Sequence, residues 1–186
     1  RDIVRERGRA QSHGLQIECL TGAALTAEHG SIMEGLYQTT TDKKNAIAYL
    51  QSGFFERVFT NMADRIVLVL ASKNGLPVAG ALNFHKGRKL YGRYWGSFET
   101  YQDLHFELCY YQTIDYALRQ GVEVFEAGAQ GEHKIQRGFL PSVTWSAHKI
   151  FDSCLGKPIG AFIEDEKLAI AGALMEMKGP YKTNSV

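Results

Sequence analysis

The chain has 186 residues, of which 45% are hydrophobic and 22% charged, with a formal net charge of +1. That length supports one substantial hydrophobic core, and the near-neutral charge gives no default case for a nucleic-acid partner. The three cysteines, Cys19, Cys109 and Cys154, are widely spaced and suit neither a disulfide framework nor a zinc site, so no metal is expected. No apolar run approaches the ~18 residues of a membrane span and no signal peptide is visible. A reducing cytoplasm is the expected home. The first residue is Arg1 and not methionine, which reads as a fragment or one half of a longer chain.

In chain order, Arg1 to Gly14 is polar and basic, with Arg1, Arg5, Arg7 and Arg9 close together. It reads as a solvated helix, a linker from an upstream domain, or a contact for anionic groups. Leu15 to Leu20 is a first strand, with Leu15, Ile17 and Cys19 on one face. Thr26 suits the N-cap of a helix running to about Thr39, with Glu28 in its first turn, although Gly30 and Gly35 weaken it. Asp42 caps a second helical stretch, and Gly53 separates that from Phe54 to Met62. There Phe55, Val58, Phe59 and Met62 fall at helical spacing and read as core.

A meander of strands follows. Ile66 to Ala71 is continuously apolar, as expected of a strand covered on both faces. Asn74-Gly75 is a hairpin signal, and Val78 to Phe84 returns. Lys89 to Phe98 is the third strand, with Tyr91, Arg93 and Trp95 on one face and Leu90, Tyr94 and Phe98 on the other. Its Gly92 and Gly96 allow a bulge or a close backbone approach. Asp103 then starts the longest clear helix, Leu104 to Gln120, closed by Gly121. Leu104, Leu108, Tyr111 and Leu118 form its core stripe, while His105, Cys109, Gln112 and Tyr116 face elsewhere. A His–Cys pair at that spacing suits nucleophilic chemistry; the plainer reading is an inert, packed cysteine.

The stretch Gly121 to Gly138 carries the strongest functional signal. Val122, Val124 and Phe125 make a β-prone run that leaves through Ala127-Gly128-Ala129-Gln130-Gly131 into a short basic segment, Glu132 to Arg137, that can be helical. A strand ending in a glycine loop and a helix start is where α/β proteins place ligands, because backbone N–H groups converge there. Alternation puts Glu126 on the face of Val122 and Val124. A carboxylate so placed is either an active-site group or half of a buried ion pair that only holds the fold. Beyond Pro141, Val143 to Phe151 alternates as a last strand, with Thr144, Ser146 and His148 on one face, lining a cleft or facing water. Ile159 to Met177 reads as a C-terminal helix.

This order is an α+β layout, in which a crossover helix after a meander leads to one further strand. It resembles the GCN5-related acetyltransferase (GNAT) architecture, with a mixed, mostly antiparallel sheet flanked by helices. There two central neighbouring strands splay apart to form the acyl-donor cleft. YGRYWGS (Tyr91 to Ser97), LHFELCYYQTIDYAL (Leu104 to Leu118) and FEAGAQGEHKIQRGFLP (Phe125 to Pro141), followed by TWSAHKI, are similar to the FemAB-like family of GNAT-fold proteins. Members are described as peptidoglycan biosynthesis or recognition proteins and carry two GNAT-like halves. The resemblance implies a C-terminal half: a basic linker or helix over 1–14 from an N-terminal GNAT-like half, a GNAT-like domain over 15–155, and a helix and tail over 156–186. One departure stands out. Acetyl-CoA enzymes of the fold place a glycine-rich loop ahead of the central helix, where this chain has Ser97-Phe-Glu-Thr-Tyr-Gln-Asp103. Two acidic residues there would repel a diphosphate.

The reaction expected is transfer of an acyl or aminoacyl group onto an amine, in peptidoglycan-related metabolism. Acyl-CoA is one candidate donor and aminoacyl-tRNA the alternative; the acceptor expected is a small molecule, peptide or muropeptide. Such chemistry needs a base and donors for an oxyanion. Glu126 is the candidate base and His148 the second, while backbone N–H groups across Gly128, Gln130 and Gly131 supply the donors. Arg93, His133, Lys134 and Arg137 hold anionic parts, Ser146 lines the cleft, and Tyr91 or Tyr111 returns a proton to the leaving group. The alternative is a non-catalytic module that recognises a wall fragment or peptide on Tyr91, Trp95 and Tyr101. A third idea, tRNA contact through Arg1 to Arg9, would be strongly salt-dependent.

Overall fold

A computed structural model of the chain describes residues 2–43, 45–128 and 131–176. The chain divides into two compact units, one ending at residue 129 and the other beginning at residue 130.

The first unit opens with helix α1 (Asp2–Ser12) and strand β1 (Gln16–Thr21). Helices α2 (Ala27–Lys43) and α3 (Phe54–Asn61) follow, then strands β2 (Ile66–Lys73), β3 (Leu76–Lys86) and β4 (Lys89–Ser97). A helical rod over 104–119 comes next, made of α4 (Leu104–Phe106), a π-helical turn (Glu107–Tyr111) and α5 (Gln112–Arg119). Strand β5 (Val124–Glu126) closes the sheet. The strands lie side by side in sequence order; β1 to β4 are antiparallel and β5 runs parallel to β4. This mixed α+β sheet is the layout expected from the meander and its crossover.

Burial follows strand parity. Ile66, Leu68, Leu70 and Leu82 pack under α2 and α3 against Met33, Leu36, Phe55 and Phe59. Val69, Ala71, Ala79 and Ala81 face the other way, against Leu104 and Leu108, with Leu15, Ile17 and Cys19 beside them. So β2 is covered on both sides, as its unbroken apolar run requires. α2 crosses β4 at Gly96, where an added Cβ would stand 1.9 Å from the Leu36 carbonyl oxygen; only glycine lets the two backbones meet.

Four expectations are corrected inside this unit. Asp42 lies within α2, which runs on to Lys43, and begins no second helix. Met62, expected in the α3 core stripe, is exposed beyond the end of that helix. Leu118, expected in the core, is 75% exposed. The buried stripe of the rod instead runs Leu104, Leu108, Thr113, Ala117, with a step of five across the π-helical turn. That extra residue turns everything after it by about 100° relative to a regular helix. Finally, Tyr91 and Trp95 do not share a face. The β3–β4 register slips between Leu82↔Tyr94 and Asn83↔Gly92, leaving Arg93 as a bulge, and parity inverts across it. Tyr91, paired with Phe84, and Tyr94, paired with Leu82, lie on the α2–α3 side. Trp95, paired with Ala81, lies on the side of the rod.

α1 is bound to its own unit through charge. Ala10 is its buried residue. Arg7 pairs with Glu107 (3.2 Å) and Asp115 (2.8 Å), and Arg9 pairs with Asp103. The basic segment does contact anionic groups, and they are carboxylates of the same chain.

In the second unit a 3-10 helix covers Glu132–Arg137, the short helical segment expected there. Helix α6 (Ser153–Glu176) is capped by Asp152, whose carboxylate accepts from the Cys154 and Leu155 N–H groups, and it carries Pro158 inside it. It starts earlier than the expected Ile159. The last strand expected over Val143 to Phe151 is not formed; residues 141–152 have no regular structure and stand largely exposed. A strand is held by ladder partners, and the described residues of this unit include no second strand.

Candidate active site

The sheet opens at β4. Strand β5 pairs with β4 only from Lys89↔Val124 to Tyr91↔Glu126. From Gly92 to Ser97, β4 stays paired with β3 on one side, and among the described residues no strand covers its other edge. The Arg93 bulge sits where the pairing stops.

Ladder parity says which groups face the opening. Phe98 N–H donates to the Val78 carbonyl, so Val78 and Phe98 form a hydrogen-bonded antiparallel pair. Such pairs alternate with non-bonded ones. Trp95, opposite Ala81, and Ser97, opposite Ala79, therefore turn their N–H and C=O groups away from β3 and toward the open edge. Helix α2 takes up the two carbonyls: Thr40 Oγ1 donates to Trp95 O at 2.7 Å and Lys43 Nζ to Ser97 O at 3.3 Å. The two N–H groups remain directed at the gap.

Thr40, Lys43, Trp95, Ser97 and His105 line a cavity of about 380 Å³ at this edge. His105, on the single turn of α4, meets the Trp95 ring edge-on, with centroids 5.1 Å apart and planes at 79°. It also packs against Phe106 (5.4 Å) and Tyr110 (5.6 Å). Imidazole is the one group lining this cavity whose ordinary titration falls near neutrality. A larger cavity of about 600 Å³ lies between the segment before α2 and the end of α3, lined by Leu25, Phe59 and Asp64 among others.

The residues chosen from the sequence fall in both units. Trp95 lines the cavity. Glu126 is paired with Tyr91 and so shares its α2–α3 side, opposite Trp95, with its own side chain exposed. The expected apolar face of Val122, Val124 and Glu126 is overturned: Val122 and Phe125 pack inward, while Val124 and Glu126 are exposed. The strand is only three residues long, and Val122 lies before it. Arg93 is exposed at the bulge, its guanidinium 4.9 Å from the centroid of the Tyr94 ring and donating to Tyr49 Oη at 3.4 Å. Burial, then the hydrogen bond with Tyr49, push the Tyr94 phenol up to about 12. Tyr111 is buried, and its hydroxyl donates to Glu6 on α1.

Gly128 is exposed with a φ of 86°, and Gln130 lies outside the described residues. Gly131 (φ 107°), His133, Lys134 and Arg137 belong to the second unit. There Arg137 is buried and donates to the His133 carbonyl at 2.8 Å. Burial, and then the cations Arg137 and Lys134, lower the His133 pKa. Ser146 and His148, also of the second unit, are exposed and joined by a hydrogen bond of 3.0 Å. The sequence reading placed them on one face of a strand, and no strand forms there.

Sequence reasoning missed Thr40, Lys43 and Ser97, and placed His105 with Cys109. The available signals were Gly92 and Gly96, which mark β4 as irregular and closely approached, and the Thr40/Lys43 spacing of three, which puts both on one side of α2. Among the described residues no group of three His, Cys, Asp or Glu side chains is arranged to hold a metal ion, and no helix is long and apolar enough to cross a membrane.

A mixed five-stranded sheet that parts between its last two strands, with a lined cavity at the parting, sets the class of structure. The chain belongs to the FemAB-like family, described as peptidoglycan biosynthesis/recognition, whose profile matches residues 1–183. Among solved structures it is similar to an aminoglycoside acetyltransferase from an uncultured soil metagenomic sample, in complex with sisomicin. The two are 12% identical, with 75% of this chain and 95% of that one covered and a TM-score of 0.49. It is also similar to the ribosomal-protein-alanine N-acetyltransferase of Brucella melitensis biovar Abortus 2308 (11% identity, 75% and 98% covered, TM-score 0.49). A further aminoglycoside acetyltransferase from an uncultured soil metagenomic sample is 13% identical over 73% of this chain and 98% of that one, with a TM-score of 0.48. No curated protein matches the chain.

Proposed function

We propose that this chain transfers an acyl or aminoacyl group onto an amine at the open edge of β4, within peptidoglycan-related metabolism of the cytoplasm. The observation that carries the reading is the pair of N–H groups, on Trp95 and Ser97, that point into a gap lined by His105. Acyl transfer to an amine passes through a tetrahedral oxyanion, and fixed N–H donors in a partly enclosed site stabilise that charge as it forms. Thr40 and Lys43 hold the intervening carbonyls, which keeps the edge from closing on itself and fixes the direction of the donors. His105 takes the proton of the attacking ammonium and can return it to the leaving group. Glu126, on the other side of the sheet, is the competing base.

The donor is proposed to be one that does not rest a diphosphate on the β4–α4 loop. Glu99 and Asp103 lie there, with Asp103 already engaged by Arg9. The second reading is recognition of a wall fragment without turnover, favoured by that same loop and by the family description. Acyl transfer from acyl-CoA or aminoacyl-tRNA to muropeptide amines tests both. His105→Gln is expected to lower kcat by about 10²-fold or more, with Glu126→Gln much milder. Turnover unchanged by His105→Gln would end the assignment of His105. Muropeptide binding with no transfer from any donor would favour recognition.

A further inference from the structure

The π-helical turn Glu107–Tyr111 joins two things that a regular helix would keep apart. In an α-helix, residues five apart lie about 140° from each other and do not touch. Here His105 packs edge-on against Tyr110 (5.6 Å), and Gln112 Nε2 donates to Glu107 Oε1 at 2.7 Å. Thr113 Oγ1 likewise donates to Leu108 O at 2.9 Å. All three are i, i+5 contacts. The geometry that fixes the His105 ring in the β4 cavity is therefore the geometry that fixes the Glu107 carboxylate.

Glu107 is 0% exposed, and its Oε2 has no hydrogen-bond partner among the described residues. A buried carboxylate is costly unless a cation is aimed at it. That cation is Arg7, which comes from α1, a hundred residues earlier in the chain. Arg7 also reaches Asp115 on α5, past the end of the turn, and stacks 5.7 Å from the Tyr111 ring. Tyr111 in turn donates to Glu6 on α1. Asp115 and Glu107 both favour the charged guanidinium, and the Asp115 hydrogen bond does most to raise the Arg7 pKa. One guanidinium thus spans the π turn, gripping a carboxylate at its start and another past its end.

We propose that Arg7 is a positioning residue for His105: by bridging Glu107 and Asp115 across the π turn, it sets the rotational phase of the helix and so aims the imidazole at the open edge of β4. This inference rests on the reading of that edge as the reaction site. The charge network of α1 is then a part of the site, acting through the turn and touching no substrate.

The test uses Arg7→Gln, with Arg5→Gln as control, since Arg5 pairs with Asp2 on the same exposed helix. Two measurements are made on the full chain. The first is the ring-proton resonance of His105, assigned by its loss in His105→Gln; the neighbouring rings of Trp95 and Tyr110 displace it. The second is kcat and KM for acyl transfer. Arg7→Gln should move the His105 resonance away from its wild-type position and lower kcat on the order of tenfold to a hundredfold with KM little changed. Arg5→Gln should do neither. Arg7→Lys, which loses the fork needed to hold two carboxylates, should recover only part of the shift. If Arg7→Gln proves too unstable to study, Arg7→Gln with Glu107→Gln removes the uncompensated charge and is read in the same way. An unmoved His105 resonance in a folded Arg7→Gln chain would overturn the inference. A moved resonance supports it even where no transfer is found in the wild type, in which case the functional reading fails and the positioning stands.

Discussion

Strand β2 and helix α6 are both rich in apolar residues, and they meet opposite ends. Ile66 to Ala71 are all buried, under α2 and α3 on one side and the 104–119 rod on the other. α6 spans Ser153–Glu176 and buries none of its residues, leaving Phe162, Leu168, Ile170 and Met175 exposed. Apolar side chains are thus no guarantee of a core. β2 is secured because parity delivers alternate residues to two waiting surfaces. α6 has a sound cap at Asp152, but Pro158, Gly156, Gly160 and Gly172 lie inside it, so neither burial nor local propensity favours it as β2 is favoured.

The comparison can be broken most forcefully at Gly96. Gly96→Val would drive side-chain atoms into the α2 backbone at Leu36, and the cost is expected to rival a total stability of ~5–15 kcal/mol. Soluble, cooperatively melting Gly96→Val protein would contradict the close crossing. Next in size, Leu68→Ala should cost about 2–5 kcal/mol in a denaturant titration, because it opens a cavity between β2 and the α2–α3 layer. On the other side of the contrast, Phe162→Ser in α6 should change stability by no more than about 0.5 kcal/mol. A loss as large as that of Leu68→Ala would mean that α6 has a covering surface after all. Leu118→Ala should be similarly mild, which separates the observed stripe from the one a regular helix would give.

A separate check is a pH dependence. Tyr94 has its folded pKa raised to about 12, against about 10 for an ordinary phenol. The sign follows from linkage: the unfolded chain ionises first, so the stabilisation is fully present below pH 10 and is lost as pH rises through 12. Tyr94→Phe should flatten the stability profile in that window. An identical profile would show that Tyr94 ionises as it does in the unfolded chain.

Much of this architecture could be read from residues alone where period and partners agree. β1 to β3, the hairpin at Asn74-Gly75, α3 and the crossover rod were all foreseen within a residue or a few. Gly30, which counted against α2, is there because an added Cβ would stand 2.7 Å from Glu56 Cα of α3, a reason invisible before α3 is placed. The bulge and the π turn were the main sources of error. Each inserts one residue, and after the insertion every later side chain changes face: Trp95 parts from Tyr91, and Leu118 leaves the core. Neither insertion has a local signature strong enough to locate it, though Gly92 and Gly96 hinted at the first. The candidate site was half legible for the same reason. Trp95, singled out from the sequence, lines the β4 cavity. The placement of His105 at the β4 cavity depended on the π turn, and that of Thr40 and Lys43 on where α2 crosses the sheet.

The central claim, that the N–H groups of the open β4 edge carry the developing oxyanion, can be tested without changing any side chain. A semisynthetic chain with a backbone ester in place of the N–H of Trp95 keeps the indole, the carbonyl held by Thr40 and the ladder to β3. Its kcat for acyl transfer to an amine should fall by about 10²–10³-fold with KM little altered. A kcat equal to that of the all-amide chain would contradict the account.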